Sequence, residues 1–424
     1  MIKKSLFGWG GAALEYERPG SDLPVMETIP VSENITLLIK SEGKSSGAQT
    51  LSIGDSVKTG QRLFLRQGAQ EYAISTVTGT VASIQMVKDD LGRDFSQVGI
   101  TVASSEELDS EFAELSKTPS LEMARGYLRH IPGAPSLDGF SNDDAPIDTI
   151  VINGVPGDLG LMTSQFFTDA ALGDIKKGVD ILKEITGVSR FILVAPQNFV
   201  QSHGSIGGEM KVVAPVYPEG HPSLIMKNIL NIEVPAGESF ASAGVAFFSV
   251  EAVASIGSAF ASGRIPTGKI LTFVDKRGVK RLVQAKIGTP IGDIIKKYDG
   301  EINENDILIM GGPMTGSAVY SETFPVKPDT DGLMIRDEKE IHYYSDYACV
   351  NCGECVRACP ANVPVNMLVR FLEAGKYQEA ADSYDLMSCV ECGLCSFVCV
   401  SRMPVYQYIR LGKCELLRMS EAEA

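Results

Sequence analysis

Cys389-Val390-Glu391-Cys392-Gly393-Leu394-Cys395-Ser396-Phe397-Val398-Cys399 sets four thiols at C-x2-C-x2-C-x3-C spacing. Cys349, Cys352, Cys355 and Cys359 show the same spacing earlier, followed by Pro360 where the later copy has Val400. Three thiolates on one tight loop can grip three irons of a four-iron cubane. The fourth, at the start of the outgoing helix, points across to the other cluster. The expected ligand sets are therefore crossed. One [4Fe-4S] cluster takes Cys349, Cys352, Cys355 and Cys399, and the second takes Cys389, Cys392, Cys395 and Cys359. Crossing brings the two clusters close, as stepwise electron transfer requires. Zinc is the competing ion, but structural zinc uses two separated C-x2-C pairs. Cys414 falls outside the repeat and reads as an ordinary, partly buried thiol.

The rest of the composition agrees with a metal site in a reducing compartment, with the cytoplasm as the default. Eight of the nine cysteines fall in this short stretch, whereas a disulfide scaffold spreads them along a small secreted chain. With 38 basic and 53 acidic residues the net charge is −15, which repels nucleic acid and bare anionic lipid. Hydrophobic content of 44% and charged content of 21% are those of a globular chain, and 424 residues make two to four domains. Met1 to Leu14 has the look of a weak signal peptide, ended by Glu15, Glu17 and Arg18, and is not read as one. Residues 241–263 are long enough to span a bilayer but consist mostly of Ala, Ser and Gly, so a buried helix is expected there.

Upstream of the cysteines the pattern changes three times. Residues 1–112 alternate short apolar runs with turns, as all-β segments do. The passages Ile53 to Gln61 and Ser75 to Val81 have the pattern of the flattened barrel-sandwich of lipoyl and biotinyl carriers. The hairpin tip is Val77-Thr78-Gly79 and lacks an acceptor lysine, so a structural role is expected. Residues 117–265 alternate strands with helices: Ile147 to Gly154, a helical stretch over 166–186, Arg190 to Pro196 and Val212 to Val216. That is an α/β layer, with any ligand expected beyond the carboxyl ends of its strands. Residues 267–320 form a compact β-rich unit closed by Gly311-Gly312-Pro313-Met314-Thr315-Gly316. A polar linker is read over 321–345, before a cysteine domain at 346–412.

Two weaker motifs do not carry chemistry. Gly263 to Lys269 spells G-x4-G-K, but Ile270 replaces the Mg²⁺-binding Ser or Thr of a P-loop. His203-Gly204-Ser205-Ile206-Gly207-Gly208 reads as a turn with a site role left open. His130, His203, His221 and His342 form no metal-spaced pair, and no Ser-His-Asp or paired-carboxylate pattern marks a hydrolase.

Cys389 to Cys399, continuing into Ser401-Arg402-Met403-Pro404-Val405-Tyr406-Gln407-Tyr408-Ile409-Arg410, resembles the RnfC family, the peripheral subunit of the Rnf electron-transport complex. Tyr217-Pro218-Glu219-Gly220, Gly311 to Gly316 and the hairpin from Gly54 to Gln61 are similar to signatures of the same family. The resemblance covers nearly the whole chain. It implies a multidomain α+β protein: a carrier-like barrel, a Rossmann-like flavin domain, a soluble-ligand-binding β-grasp unit and a helical, ferredoxin-like domain with two [4Fe-4S] clusters. It also implies partner subunits in a membrane complex, a soluble electron donor or acceptor, and a place on the cytoplasmic face of the inner membrane reached through those partners. RnfC takes electrons from NADH through FMN. Here the flavin loop departs, because Ile131-Pro132-Gly133-Ala134-Pro135-Ser136-Leu137-Asp138-Gly139-Phe140 has lost most of the family's glycines and gained prolines. Asn153-Gly154-Val155-Pro156-Gly157-Asp158-Leu159 keeps one of the acids relatives place near the nucleotide. The expectation is an electron relay whose flavin fold serves as scaffold. The alternatives are an FMN-dependent NADH reductase of the cobalamin-reductase type and a pure assembly subunit.

Overall fold

The computed structural model describes residues 14–16, 23–41, 47–89, 92–141, 146–197, 207–298, 302–340, 344 and 347–423. The segment Met1 to Ala13 and most of the loop from His203 to Gly208 lie outside them, as does His342.

The first unit is antiparallel. Strands β1 (Asn34–Lys40), β2 (Gly79–Lys88) and β3 (Asp94–Val102) form a sheet in the order β1-β3-β2, completed by Ser56–Val57. Ile35, Leu37 and Ile39 alternate with exposed positions and meet Val57, Leu63, Val98 and Ile100 in one core, as a half-buried sheet requires. A bulge between Val81 and Ser83 shifts the register of β2 against β3. The hairpin tip is buried rather than presented: Val77 lies in the core and the Thr76 hydroxyl donates to the Ile287 carbonyl at 2.7 Å. A tip fastened this way has no freedom to swing, which agrees with the missing lysine.

The second unit is a parallel sheet. Strands β4 (Thr149–Asn153), β5 (Arg190–Pro196), β6 (Glu209–Val213) and β7 (Val245–Ser249) run in the order β6-β5-β4-β7, all parallel. Because both faces are covered, β4 and β5 read as continuous apolar runs. The helical stretch read over 166–186 is two helices broken at Ala171: α1 (Thr163–Ala170) and α2 (Leu172–Thr186), the latter closed by Gly187 at φ 72°. The strand read through Val216 stops at Val213, and Val216–Tyr217 pairs instead with Leu14–Glu15.

Of the stretch 241–263 read as one buried helix, only the later part forms α3 (Val250–Ser262), the earlier part holding β7 (Val245–Ser249); α3 is capped by the Ser249 hydroxyl accepting from the Ala252 N–H at 3.1 Å. Its composition follows from its packing. A Cβ on Gly257 would stand 1.9 Å from the Asp174 carbonyl oxygen, and one on Gly178 2.0 Å from that of Val253. The backbones of α2 and α3 touch there, which larger side chains forbid. Among the described residues no helix is long and apolar enough to cross a membrane.

The third sheet holds β8 (Gly268–Val274), β9 (Lys280–Lys286), β10 (Ile307–Met310), β11 (Ser317–Val319) and β12 (Gly332–Arg336), with α4 (Ile291–Tyr298) packed on it. Its order is β11-β10-β12-β8-β9, extended by Glu27–Thr28. Strand β12 corrects the reading of 321–345 as a linker. Leu333 and Ile335 are buried between β10 and β8, so a five-residue apolar run set among Asp, Lys and Pro completes the middle of the sheet. Gly263 to Lys269 is no phosphate loop: Gly263 caps α3 at φ 65°, and the Lys269 ammonium is buried between Glu251 and Asp331.

The helical C-terminal unit comprises α5 (Glu354–Arg357), α6 (Val365–Glu373), α7 (Tyr377–Tyr384), α8 (Leu394–Phe397) and α9 (Val405–Glu423). Leu368, Leu372, Leu386 and Ile409 form its core, and most of the motif cysteines line that core's edge. The whole is a mixed α/β multidomain chain ending in a ferredoxin-like unit.

Candidate metal centre

The two cysteine runs fold into the same shape, forty residues apart in number. Gly353 and Gly393 sit at φ 78° and 76° ahead of α5 and α8, whose starts need a left-handed residue to turn the loop inward. Asn351 and Glu391 take φ 56° and 54°, and Asn362 and Arg402 take 58° and 51°. Helices α6 and α9 follow Pro364 and Pro404 in step.

The thiols receive matching donors. The Asn351 and Glu391 N–H groups point to Cys349 Sγ and Cys389 Sγ, and those of Val363 and Met403 to Cys359 Sγ and Cys399 Sγ, each at 3.4 Å. Such N–H donors suit sulfurs that carry a cluster's negative charge.

Burial and crowding act the other way. Burial pushes Cys355 up to about 11, with Cys349 and Cys352 adding to the rise. It pushes Cys392 up to about 12, helped by Cys389 and Cys359, and raises Cys395 and Cys389 as well. Cys359 of the first run lines one small cavity together with Cys389, Cys392 and Cys395 of the second. Clustered thiols that resist ionising alone are a fitting bed for iron, whose positive charge makes up for the crowding.

Spacing bears on which metal fits. Among the described residues no three His, Cys, Asp or Glu side chains gather closely enough for a single ion. Tetrahedral zinc with Zn–S near 2.3 Å would hold its sulfurs about 3.8 Å apart. A cubane takes one thiolate on each iron and spreads them wider.

The two loops differ in setting. The later one is built into the protein: Val390, Cys392 and Leu394 share a core with Val151, Ile192, Tyr217 and Met226 beneath the parallel sheet. The Tyr217 hydroxyl donates to the Cys392 carbonyl at 2.6 Å. A Cβ on Gly393 would lie 2.4 Å from the Met314 carbonyl oxygen of the Gly311–Gly316 turn. Lys413 on α9 donates to the Cys389 carbonyl at 2.7 Å and to Glu391 Oε1 at 2.8 Å. The earlier loop faces outward. Cys352 is exposed, and so are Tyr347 and Val350 close to it in sequence, as well as Phe397 and Val400 at the end of the later run. Val350 and Val390 occupy equivalent places, yet one is 65% exposed and the other 8%.

Asp158 shows what became of the retained acid. Its carboxylate accepts from the N–H groups of Leu159, Met314 and Thr315 and from the Thr315 hydroxyl, at 2.6 to 3.2 Å. Burial raises its pKa and those donors counter the rise. The group therefore ties the 153–159 loop to the turn that supports the inner cysteines, rather than facing a nucleotide. The Ile131–Phe140 loop is likewise pinned. Ile131 and Leu137 lie in the main core, and Arg125 donates to the Leu137 and Asp138 carbonyls at 3.0 Å. A Cβ on Gly133 would stand 2.5 Å from the Ala252 nitrogen.

A cavity of about 490 Å³ opens beside the inner loop, lined by Tyr16, Tyr217, His221, Glu391, Cys392 and Lys413. His221 Nδ1 accepts from the Ser223 N–H, and burial lowers its pKa to about 4, so the ring is neutral. A larger cavity of about 610 Å³ lies away from the cysteines, between β1, the 134–138 loop and residues 320–329. Cys414 is buried outside the motif, as expected. The partners Tyr217, Lys413 and Asp158 carry no spacing signal and emerge only from tertiary contact.

Comparison with known proteins agrees with this geometry. The family model for the 4Fe-4S dicluster domain matches residues 348–403. In Pectobacterium carotovorum, the C subunit of the ion-translocating oxidoreductase complex is 26% identical over 96% of this chain and 57% of its own length. The protein of the same name from Methanosarcina acetivorans is 23% identical over 86% of this chain and 88% of its own. In Clostridium ljungdahlii, the C subunit of the proton-translocating ferredoxin:NAD(+) oxidoreductase complex is 29% identical over 66% of this chain and 63% of its own. The chain spans less than two thirds of the Pectobacterium carotovorum relative's length. Over most of its length this chain is similar to the C subunits of ion-translocating oxidoreductase complexes, and its residues 348–403 match the 4Fe-4S dicluster family.

Proposed function

We propose that the chain is an electron-transfer subunit of an Rnf-like, membrane-associated oxidoreductase complex. It relays electrons between a soluble redox partner and the other subunits. The observation that carries this reading is the pair of matched cysteine loops, one enclosed by the chain and one turned to solvent. Bound [4Fe-4S] clusters supply one-electron carriage. Cys349, Cys352, Cys355 and Cys399 would hold the outer one, and Cys389, Cys392, Cys395 and Cys359 the inner one. The small cavity that Cys359 lines together with Cys389, Cys392 and Cys395 supports the crossed sets.

The protein's own part is to hold thiolates with backbone N–H donors, to enclose the inner loop more than the outer one, and to offer the exposed Cys352 loop to a partner. The units at 1–112, 117–265 and 267–320 are read as a carrier-like barrel, a Rossmann-like layer and a β-grasp unit that brace the helical domain at 346–412. Attachment to the membrane, at its cytoplasmic face, comes through partner subunits. FMN is not part of the reading. The engagement of Asp158 by Met314 and Thr315 supports this.

A reductase remains the second reading, favoured by the cavity of about 490 Å³ against Cys392. Anaerobic purification with iron, sulfide and flavin quantified, before and after NADH, separates the two. About eight irons per chain, no flavin and no response to NADH is the expected result. Stoichiometric flavin bleached by NADH would establish the reductase, and zinc in place of iron would overturn both.

A further inference from the structure

The two loops repeat each other in backbone and cysteines but not in charge. Lys413 reaches the inner loop from α9, its side chain 17% exposed, and donates to the carbonyl of the ligand residue Cys389 at 2.7 Å. Forty residues earlier on α6 the equivalent position is Glu373, an exposed acid. Glu391, which pairs with Lys413, has the neutral Asn351 as its counterpart. At the outer loop Arg357 donates to the Cys352 carbonyl at 2.9 Å. Arg357 is about half exposed and bonded to an equally exposed Glu354, so water and its partner screen it.

Burial of Cys392 and Cys395 thins the water around the inner site relative to the outer one, where Cys352 is exposed. Adding an electron to a buried centre already ringed by thiolates is then costly, and the reduction potential falls. A half-enclosed ammonium beside Cys389 favours the more negative, reduced state. Glu391 opposes it from a more exposed position, 38% against 17%, and is screened more strongly.

We propose that Lys413 keeps the inner cluster reducible, holding up its potential against the effect of burial, with Glu391 trimming that effect. Lys413 is thus a positioning and tuning residue, not a ligand. The inference rests on the two-cluster reading above.

The test is a reductive titration of the full chain, followed by electron paramagnetic resonance, in wild type, Lys413→Met, Lys413→Arg and Glu391→Gln. The outer centre is identified by its faster relaxation with a water-soluble paramagnetic ion. Lys413→Met is expected to keep its iron and lower one midpoint, that of the inner centre, leaving the other in place. Lys413→Arg should restore it, and Glu391→Gln should move the same midpoint upward. Unmoved midpoints at full iron content overturn the inference, as do two midpoints that move together. If Lys413→Met loses iron, Glu391→Gln decides by its sign alone, and a lowered or unmoved inner midpoint refutes the proposal. Absence of two [4Fe-4S] signals in the wild type would instead refute the reading on which it stands.

Discussion

Replacing Lys269 by Met should be among the most damaging single changes in the chain, although the residue lies far from any cysteine in sequence. Its ammonium on β8 is fully enclosed, bonded to Glu251 at the start of α3 and to Asp331 Oδ1 at 2.9 Å just before β12. Burial pulls the Lys269 pKa down, but the carboxylates of Asp331 and Glu251 outweigh it and hold the charge in place. Asp331 is 42% exposed and keeps water as an alternative partner. Glu251 has none: its side chain is 5% exposed and Oε1 has no hydrogen-bond partner. Removing one member of a buried pair costs about 3–5 kcal/mol, because the other is left uncompensated.

Protonation limits the loss, and this fixes its pH dependence. Burial already raises Glu251 to about 7 from 4.5, with Lys269 pulling it back. An acid whose folded pKa lies above its unfolded one makes the fold bind protons. Its contribution therefore falls as pH rises from about 4.5 to about 7 and stays at its lowest above that. Without Lys269 the carboxyl rises further, so the variant should lose more at pH 8 than at pH 6. A loss of about 4 kcal/mol, with a urea slope of about 3 kcal/mol per M, moves the midpoint by roughly 1 M or more. Urea unfolding followed by circular dichroism at both pH values is the assay. Lys269→Met combined with Glu251→Leu should recover most of the loss, since a packed apolar pair avoids the stranded charge. A midpoint displaced by less than about 0.3 M at pH 8, or a double variant no better than the single one, would refute the reasoning.

Three further outcomes follow from contacts described above. Gly257→Ala places a methyl 1.9 Å from the Asp174 carbonyl, so α2 and α3 must part; a loss of at least about 2 kcal/mol in thermal or urea unfolding is expected. Tyr217→Phe keeps the ring against Tyr16, at 5.7 Å between centroids, but removes the bond to the Cys392 carbonyl. It should cost about 1–3 kcal/mol and speed iron loss to a chelator, and unchanged release would show the hydroxyl to be idle. Cys359→Ser should perturb the inner resonance signal and Cys399→Ser the outer, whereas uncrossed ligand sets would give the reverse assignment.

The eight thiols were legible because their chemistry demands fixed spacing, and the continuous apolar runs of β4 and β5 because a doubly covered strand leaves no other pattern. The Ala, Ser and Gly run over 241–263 was read as one buried helix, which holds for Val250–Ser262 while Val245–Ser249 is strand β7; the backbone contact that explains the helix involves Gly178, far away in sequence. Strand β12 was missed because five residues surrounded by Asp and Pro carry little periodicity, and its burial comes from β8 and β10 on either side. No local signal distinguishes Val350 from Val390. The same residue in the same motif is bare in one copy and enclosed in the other, because only the second meets the parallel sheet. Lys413 was invisible for a related reason, and Tyr217 stood out only within a family signature and not as a cysteine partner, since both act on the cysteines through contacts between distant elements.

The unequal cover of the two cysteine loops also predicts how the protein would age in air. Oxidation of cysteine sulfur follows access, and Cys352 is the one motif thiol that stands open. Damage would therefore begin at the outer loop and strip about half the iron first. The inner loop, whose Val390, Cys392 and Leu394 belong to the core under the parallel sheet, would outlast it. An aged sample would keep its secondary structure and one set of resonance signals while having lost its exposed point of electron entry or exit. The outer loop is in that sense a fuse, whose failure leaves the rest of the chain in place.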